Sequence, residues 1–153
     1  MVIIRPFNSY GEYMRTDLYA AVIPKFFERV MKKRPLLISG TGEQTRDFTY
    51  VKDTCNGIML ADQTENAIGD TFNIGQGKEA SINEIGKKVI EEYNQISGKN
   101  LKGKITYTKQ RKGDVMRHLA DISHARKILG YKPEISLKEG VRKYISWANE
   151  KNK

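Results

Sequence analysis

The sequence predicts a mixed α/β protein, and three observations carry that expectation. Short apolar or alternating runs of strand type are separated by stretches with helical spacing. Two Ser-x-x-Glu capping boxes, Ser81/Glu84 and Ser136/Glu139, open apolar helical stripes in the second half. The strand-like runs also lie too far apart for hairpins, so their pairing must be non-local.

Taken in order, Val2-Ile-Ile4 is a short apolar run of buried-strand type, cut by Pro6. Pro24 suits a first helical turn, and Phe26, Phe27, Val30 and Met31 recur at helical spacing until Arg34-Pro35 stops them. Leu36-Leu-Ile38 reads as a strand entering a Gly40–Gly42 turn, and Phe48-Thr-Tyr-Val51 as another extended piece. Asp53 is the expected N-cap of a helix with Cys55, Ile58 and Met59 on one face. Thr71–Ile74 follows as a strand, and Gly75-Gln-Gly77 as a turn. Beyond it come a helix from Ser81 to near Gly98, a strand at Lys104–Thr108, a short helix capped by Asp121 and closed by Gly130, and a final helix from Ser136.

A chain of 153 residues suffices for one domain with a true core and is short for two, so residues 1–153 are read as a single unit. The formal net charge of +9 favours anionic partners. Much of it sits on scattered lysines such as Lys87, Lys88, Lys138 and Lys143, which read as solvated helix faces. A nucleic-acid module rests on that charge alone, because no basic stripe interleaved with aromatics is present. Cys55 is the only cysteine, which excludes an intramolecular disulfide and leaves a thiolate cluster unsupported. The opening residues lack the pattern of a signal peptide, and no run approaches the ~18 apolar residues of a membrane span. The expectation is a soluble, cytoplasmic protein.

Few motifs carry chemistry. His118 and His124 have no companion at metal-ligand spacing, and no G-x-S-x-G elbow is present, so neither a metal site nor a serine nucleophile is expected. Gly75-Gln-Gly77 reads as turn chemistry rather than as a phosphate loop. Arginines near turns remain: Arg5, Arg46 and Arg111. A guanidinium meets two phosphate oxygens in one planar fork, which an ammonium cannot. Arg111-Lys-Gly-Asp114 adds a carboxylate able to accept from sugar hydroxyls. Taken alone, each segment reads as a structural salt bridge ahead of a ligand clamp.

Together the segments resemble a family. Arg5-Pro-Phe-Asn-Ser-Tyr-Gly11, Val22-Ile-Pro-Lys-Phe26, Gly40-Thr-Gly-Glu-Gln-Thr-Arg-Asp-Phe-Thr-Tyr-Val-Lys-Asp53, Phe72-Asn-Ile-Gly75, Arg111-Lys-Gly-Asp114 and Ala120-Asp-Ile-Ser123 stand in the order of the C-terminal half of the NAD-dependent epimerase/dehydratase family. These are extended short-chain dehydrogenases, and the UDP-hexose 4-epimerases are the nearest in pattern. The resemblance implies a few parallel strands of a truncated Rossmann sheet beside a small mixed α/β substrate-binding unit. It implies that Asn8 donates to the diphosphate of a UDP-sugar, that Arg46 and Arg111 grip that diphosphate, and that Asp114 accepts from the ribose. It implies that Val22 and the Leu37–Ser39 strand sandwich the base. Ala21, Ser39 and Pro6 depart from residues found in some 4-epimerases, which leaves the base and hexose open.

The family's glycine-rich dinucleotide loop and Tyr-x-x-x-Lys pair have no counterpart here. Tyr10, Tyr13 and Tyr19 lack a lysine four residues on, and Tyr144 has Ala148 there. The resemblance therefore implies no catalytic residues and no bound NAD for this chain alone, although the intact enzymes use NAD. It also implies a complementary N-terminal half or self-association. A 4,6-dehydratase or UDP-glucuronate decarboxylase on the same scaffold is the alternative parent.

Overall fold

The computed structural model describes residues 1–15 and 21–151, and it is mixed α/β as the sequence predicts. Strand β1 (Ile3–Pro6) and the two-residue β2 (Ser9–Tyr10) precede helix α1 (Val22–Met31). Then come β3 (Leu36–Ser39), β4 (Thr45–Arg46), β5 (Thr49–Tyr50) and α2 (Val51–Gln63). After β6 (Thr71–Ile74) and β7 (Ala80–Ser81) runs α3 (Ile82–Ser97). The chain continues through β8 (Ile105–Thr108), β9 (Arg117–His118), α4 (Ser123–Leu129) and α5 (Leu137–Lys151).

Pairing is non-local, with no hairpins among the described residues. β1 runs parallel to β6, β2 to β5, and β3 to β8. β4 lies between antiparallel β7 and parallel β9. The buried apolar residues form two clusters. One fills the space among α1, α3, α5 and β3, with Phe26, Phe27, Leu36, Ile38, Val89, Tyr93 and Tyr144 at its centre. The other joins β6, α2 and α4 through Phe72, Ile74, Ala61, Ala125, Leu129 and Tyr131.

Helix starts follow the sequence signals unevenly. At α3 both arms of the capping box form: Ser81 Oγ accepts from Glu84 N at 3.1 Å, and Glu84 Oε2 accepts from Ser81 N at 2.8 Å. At α5 only one arm forms, from Glu139 N to Ser136 Oγ at 3.2 Å. Two expectations need correction at α2. The helix begins at Val51, so the extended piece shrinks to Thr49–Tyr50, and Asp53 lies in the first turn rather than at the cap. The Asp53 carboxylate has a stronger use elsewhere: it accepts from Glu134 N and Ile135 N, both at 3.0 Å, and so staples the approach to α5. Asp121 accepts from Ser123 N at 2.9 Å but lies one residue ahead of the cap position, which Ile122 occupies.

Asp47 is a second staple. It is fully buried, and its carboxylate accepts from Gln76 N (2.7 Å), Gly77 N (2.9 Å), Ala120 N (3.2 Å) and Thr49 Oγ1 (3.3 Å). Burial pushes this carboxyl above its ordinary value while the four donors pull against it. The Gly75-Gln-Gly77 turn therefore cradles an internal anion, which agrees with its reading as a turn.

The β1–β6 side is only partly covered. α2 buries Asp53, Thr54, Gly57 and Ala61, and Gly57 allows an approach to β6 so close that an added Cβ would sit 2.8 Å from Ile74. Two apolar residues of α2 instead face out: Ile58 is 47% exposed and Met59 57%. Ile3 on β1 and Ile68 before β6 are exposed as well. Parallel strands are normally covered on both faces. Among the described residues, no helix is long and apolar enough to cross a membrane.

Candidate functional site

A cavity of about 510 Å³ opens between the start of α1, the end of β3, β4 and the loop after β8. Asn8, Val22, Leu37, Ser39, Arg46, Arg111 and Asp114 all line it, so every residue singled out for substrate contact reaches one space. They come from separate parts of the chain, and the fold's non-local pairing is what gathers them.

Asn8 follows β1 at φ +30°, a left-handed conformation that asparagine tolerates better than most residues. Its Nδ2 donates to Asp47 O at 3.0 Å, which fixes the amide at the cavity edge. Arg46 sits on the central strand of the β7–β4–β9 sheet, and Phe48 and Tyr50, further along the chain, are buried. Its Nη1 donates to Thr45 O (2.7 Å) and Val115 O (2.6 Å), and its Nη2 to Asp114 Oδ1 (2.5 Å). Three of the five guanidinium N–H groups are thereby used, and two remain.

Arg111 and Asp114 share one tight turn. Asp114 N donates to Arg111 O at 3.3 Å, and Gly113 at φ +80° supplies the left-handed residue that this turn requires. Ser39 fastens the base of the turn: its Oγ donates to Lys109 O (3.2 Å) and accepts from Arg111 N (3.0 Å). The hydroxyl thus serves the loop, while the Ser39 carbonyl accepts from Gln44 Nε2 at 2.7 Å and keeps one lone pair. Arg111 is exposed, and its guanidinium has no partner among the described residues. Leu37 is 44% exposed toward the cavity, and Val22 lies at the first position of α1.

Several wall residues escaped the sequence reading. Lys25, Phe26 and Arg29 stand three, four and seven residues after Val22, and all line the cavity. That helical spacing was the available signal. With Lys25, Arg29, Arg46 and Arg111 against Glu28 and Asp114, the lining is cationic on balance. Arg29 Nε also donates to Pro35 O, tying α1 to β3. Gln44 gave no signal, since its role depends on a carbonyl placed by folding. His118 pairs in register with Arg46, stacks on Phe7 with centroids 4.8 Å apart, and has Nδ1 3.4 Å from Asn8 Nδ2. A search for metal spacing could not find that position, and no metal-competent group of His, Cys, Asp or Glu occurs among the described residues.

Burial pushes the phenols of Tyr10, Tyr50 and Tyr131 well up, and that of Tyr144 to about 12, the opposite of what a proton-abstracting tyrosine needs. The arrangement can bind and orient an anion bearing hydroxyl groups. A dinucleotide diphosphate does not fit the Gly75–Gly77 turn, because the Asp47 carboxylate already takes the N–H groups there.

Comparison with known proteins identifies relatives of this chain. The sequence profile of the GDP-mannose 4,6 dehydratase family matches residues 1–144. A Methanocaldococcus jannaschii protein ascribed to the UDP-glucose 4-epimerases is 38% identical over 99% of this chain and 46% of its own length. The UDP-glucose 4-epimerase of Thermotoga maritima, solved with UDP-glucose, superposes with a TM-score of 0.87 at 29% identity, over 98% of this chain and 46% of that one. The UDP-glucuronic acid 4-epimerase of Bacillus cereus, solved with UDP-glucuronic acid and NAD, gives 0.83 at 34% identity, over 97% and 45%. The relatives include UDP-sugar epimerases, dehydratases and decarboxylases. The chain spans less than half the length of the curated relatives it matches. It belongs to the GDP-mannose 4,6 dehydratase family of NAD-dependent epimerases and dehydratases.

Proposed function

We propose that this chain is the nucleotide-sugar-binding portion of an NAD-dependent UDP-hexose 4-epimerase. In this reading Arg46 and Arg111 hold the diphosphate from two sides, Asn8 donates to it, and Asp114 accepts from the ribose hydroxyls. Val22 and the Leu37–Ser39 strand flank the base. One observation carries the reading: residues from β3, β4, α1, the turn after β8 and the segment after β1 converge on one cationic cavity. Its volume, about 510 Å³, falls in the range of small-ligand sites. Relatives solved with UDP-glucose and UDP-glucuronic acid supply the ligand class.

A 4,6-dehydratase or a UDP-sugar decarboxylase is the second reading, favoured by the family profile and by relatives that are decarboxylases. Both readings use the same nucleotide site. Hydride transfer and proton abstraction belong to residues outside this sequence, so the exposed β1–β6 and α2 face is the surface on which a dinucleotide-binding half docks. The purified chain with NAD and UDP-glucose is expected to form no UDP-galactose, yet to bind UDP in the ~mM range through the few charge-assisted contacts that remain. Calorimetric or NMR titration with UDP checks the binding; turnover by the purified chain, or no UDP binding at all, overturns the reading.

A further inference from the structure

The ion pair between Arg46 and Asp114 joins two groups that the proposed function assigns to different parts of one ligand. Their separation is 2.5 Å, and both side chains are about four-fifths buried, at 18% and 19% exposure. In this state the two charges satisfy each other, and neither is fully presented to the cavity.

A phosphate approaching Arg46 also approaches the Asp114 carboxylate. It must either share the guanidinium with that carboxylate or displace it. Like charges brought together in a partly buried site cost much of what the arginine offers. A displaced Asp114 then loses its Arg46 partner, and it needs new donors. A ribose carries two neutral hydroxyls set apart from the diphosphate that can supply them; inorganic phosphate and pyrophosphate offer only P–OH groups on the anion itself, which cannot reach Asp114 without bringing the charge with them.

We propose that the Arg46–Asp114 pair is a specificity device, which admits a diphosphate only when the same ligand brings sugar hydroxyls to replace Arg46 as the partner of Asp114. The inference rests on the nucleotide-sugar reading of this site and adds to it a mechanism for rejecting bare phosphate anions. Asp114 is then more than a ribose acceptor: its negative charge taxes every anion that lacks the ribose. Two further contacts support the assignment. Arg46 stays aimed without Asp114, because Thr45 O and Val115 O both hold Nη1. The turn that carries Asp114 stays closed, because Ser39 Oγ fixes it at Lys109 and Arg111. Loss of the carboxylate should therefore expose a ready-oriented guanidinium beside the unpaired Arg111 and leave the wall intact.

The test compares UDP with inorganic pyrophosphate on the wild-type chain, Asp114→Ala and Asp114→Asn, by calorimetry at fixed ionic strength. Amide spectra report whether each variant keeps the fold. Pyrophosphate is expected to bind Asp114→Ala about tenfold tighter than wild type. UDP should gain nothing or lose affinity, so the preference for UDP falls by about tenfold or more. Asp114→Asn keeps the size and the turn without the charge, and should give a smaller change of the same sign. Unchanged or weaker pyrophosphate binding in both variants overturns the device while leaving the nucleotide site standing, provided wild type still binds UDP. If wild type fails to bind UDP, the parent reading falls and this inference falls with it.

Discussion

The cavity wall and the β1–β6 side are built from the same kinds of element but are finished differently. Around the cavity, polar groups are cross-tied: Ser39 to the Arg111 turn, Gln44 to Ser39, Arg46 to Asp114 and Val115, and Arg29 to Pro35. Behind them lies the larger apolar cluster, shared by α1, α3 and α5. On the other side, two parallel strands carry a free β1 edge, and α2 turns Ile58 and Met59 outward. The cross-ties fix the geometry of the cavity wall, which the proposed function requires before a ligand arrives. An exposed parallel pair with an apolar helix face beside it has unspent pairing and burial capacity. Asp47 joins the two regions, reaching from the cavity strand to the Gly75–Gly77 turn and to Ala120.

The largest expected effect comes from cutting that joint. Asp47→Ala leaves one buried and two half-buried backbone N–H groups without their acceptor, at roughly 1–3 kcal/mol each, so a loss of about 3–5 kcal/mol is expected in denaturant unfolding. A loss under about 1 kcal/mol would mean that the two regions hold together without this staple. Next, Arg46→Lys keeps the charge but loses the planar fork, and should weaken UDP binding by about 1–2 kcal/mol. Lys143→Ala, whose ammonium pairs with Glu139 on an exposed helix face, should change UDP binding by less than about 0.3 kcal/mol. Titration of both variants gives the contrast directly.

Much of this was readable beforehand, and the limits have physical causes. Capping signals are local, so the α3 box was legible to the atom. The role of Asp53 was not, because a carboxylate in a first helical turn looks like a cap until the backbone at Glu134 and Ile135 is brought to it. The residue types around the cavity could be picked out from ordered motifs. The Arg46–Asp114 pair could not, since it depends on β4 and the Arg111 turn meeting across 68 residues. Periodicity marked Ile58 and Met59 as one face of a helix but could not say whether that face was inward. The close contact at Gly57 decides it.

A smaller effect tests the open side. Ile58→Lys with Met59→Lys should cut self-association at high protein concentration, with stability changed by less than about 0.5 kcal/mol. Sedimentation velocity across a concentration series measures it. A wild-type chain that stays strictly monomeric would show that this face needs no cover. The smallest effect concerns pH. Hydrogen bonds from Arg117 and Thr45 hold the Glu79 carboxyl below its ordinary value. A carboxyl lowered in the folded state contributes stability above its unfolded value and loses it as pH falls through the folded one. The Tm gap between wild type and Glu79→Gln should therefore close as pH falls below the ordinary carboxylate range, and a gap independent of pH would remove Glu79 from the acid limb.

The central claim is that one cavity binds the nucleotide diphosphate, and amide NMR of the wild-type chain titrated with UDP tests it most directly. The account predicts saturable shifts confined to Asn8, the start of α1, Leu37–Ser39, Arg46 and Arg111–Asp114, with α2 and α4 silent. Shifts centred on the β1–β6 side, or spread over the lysine-bearing faces of α3 and α5 and abolished by modest salt, would contradict it.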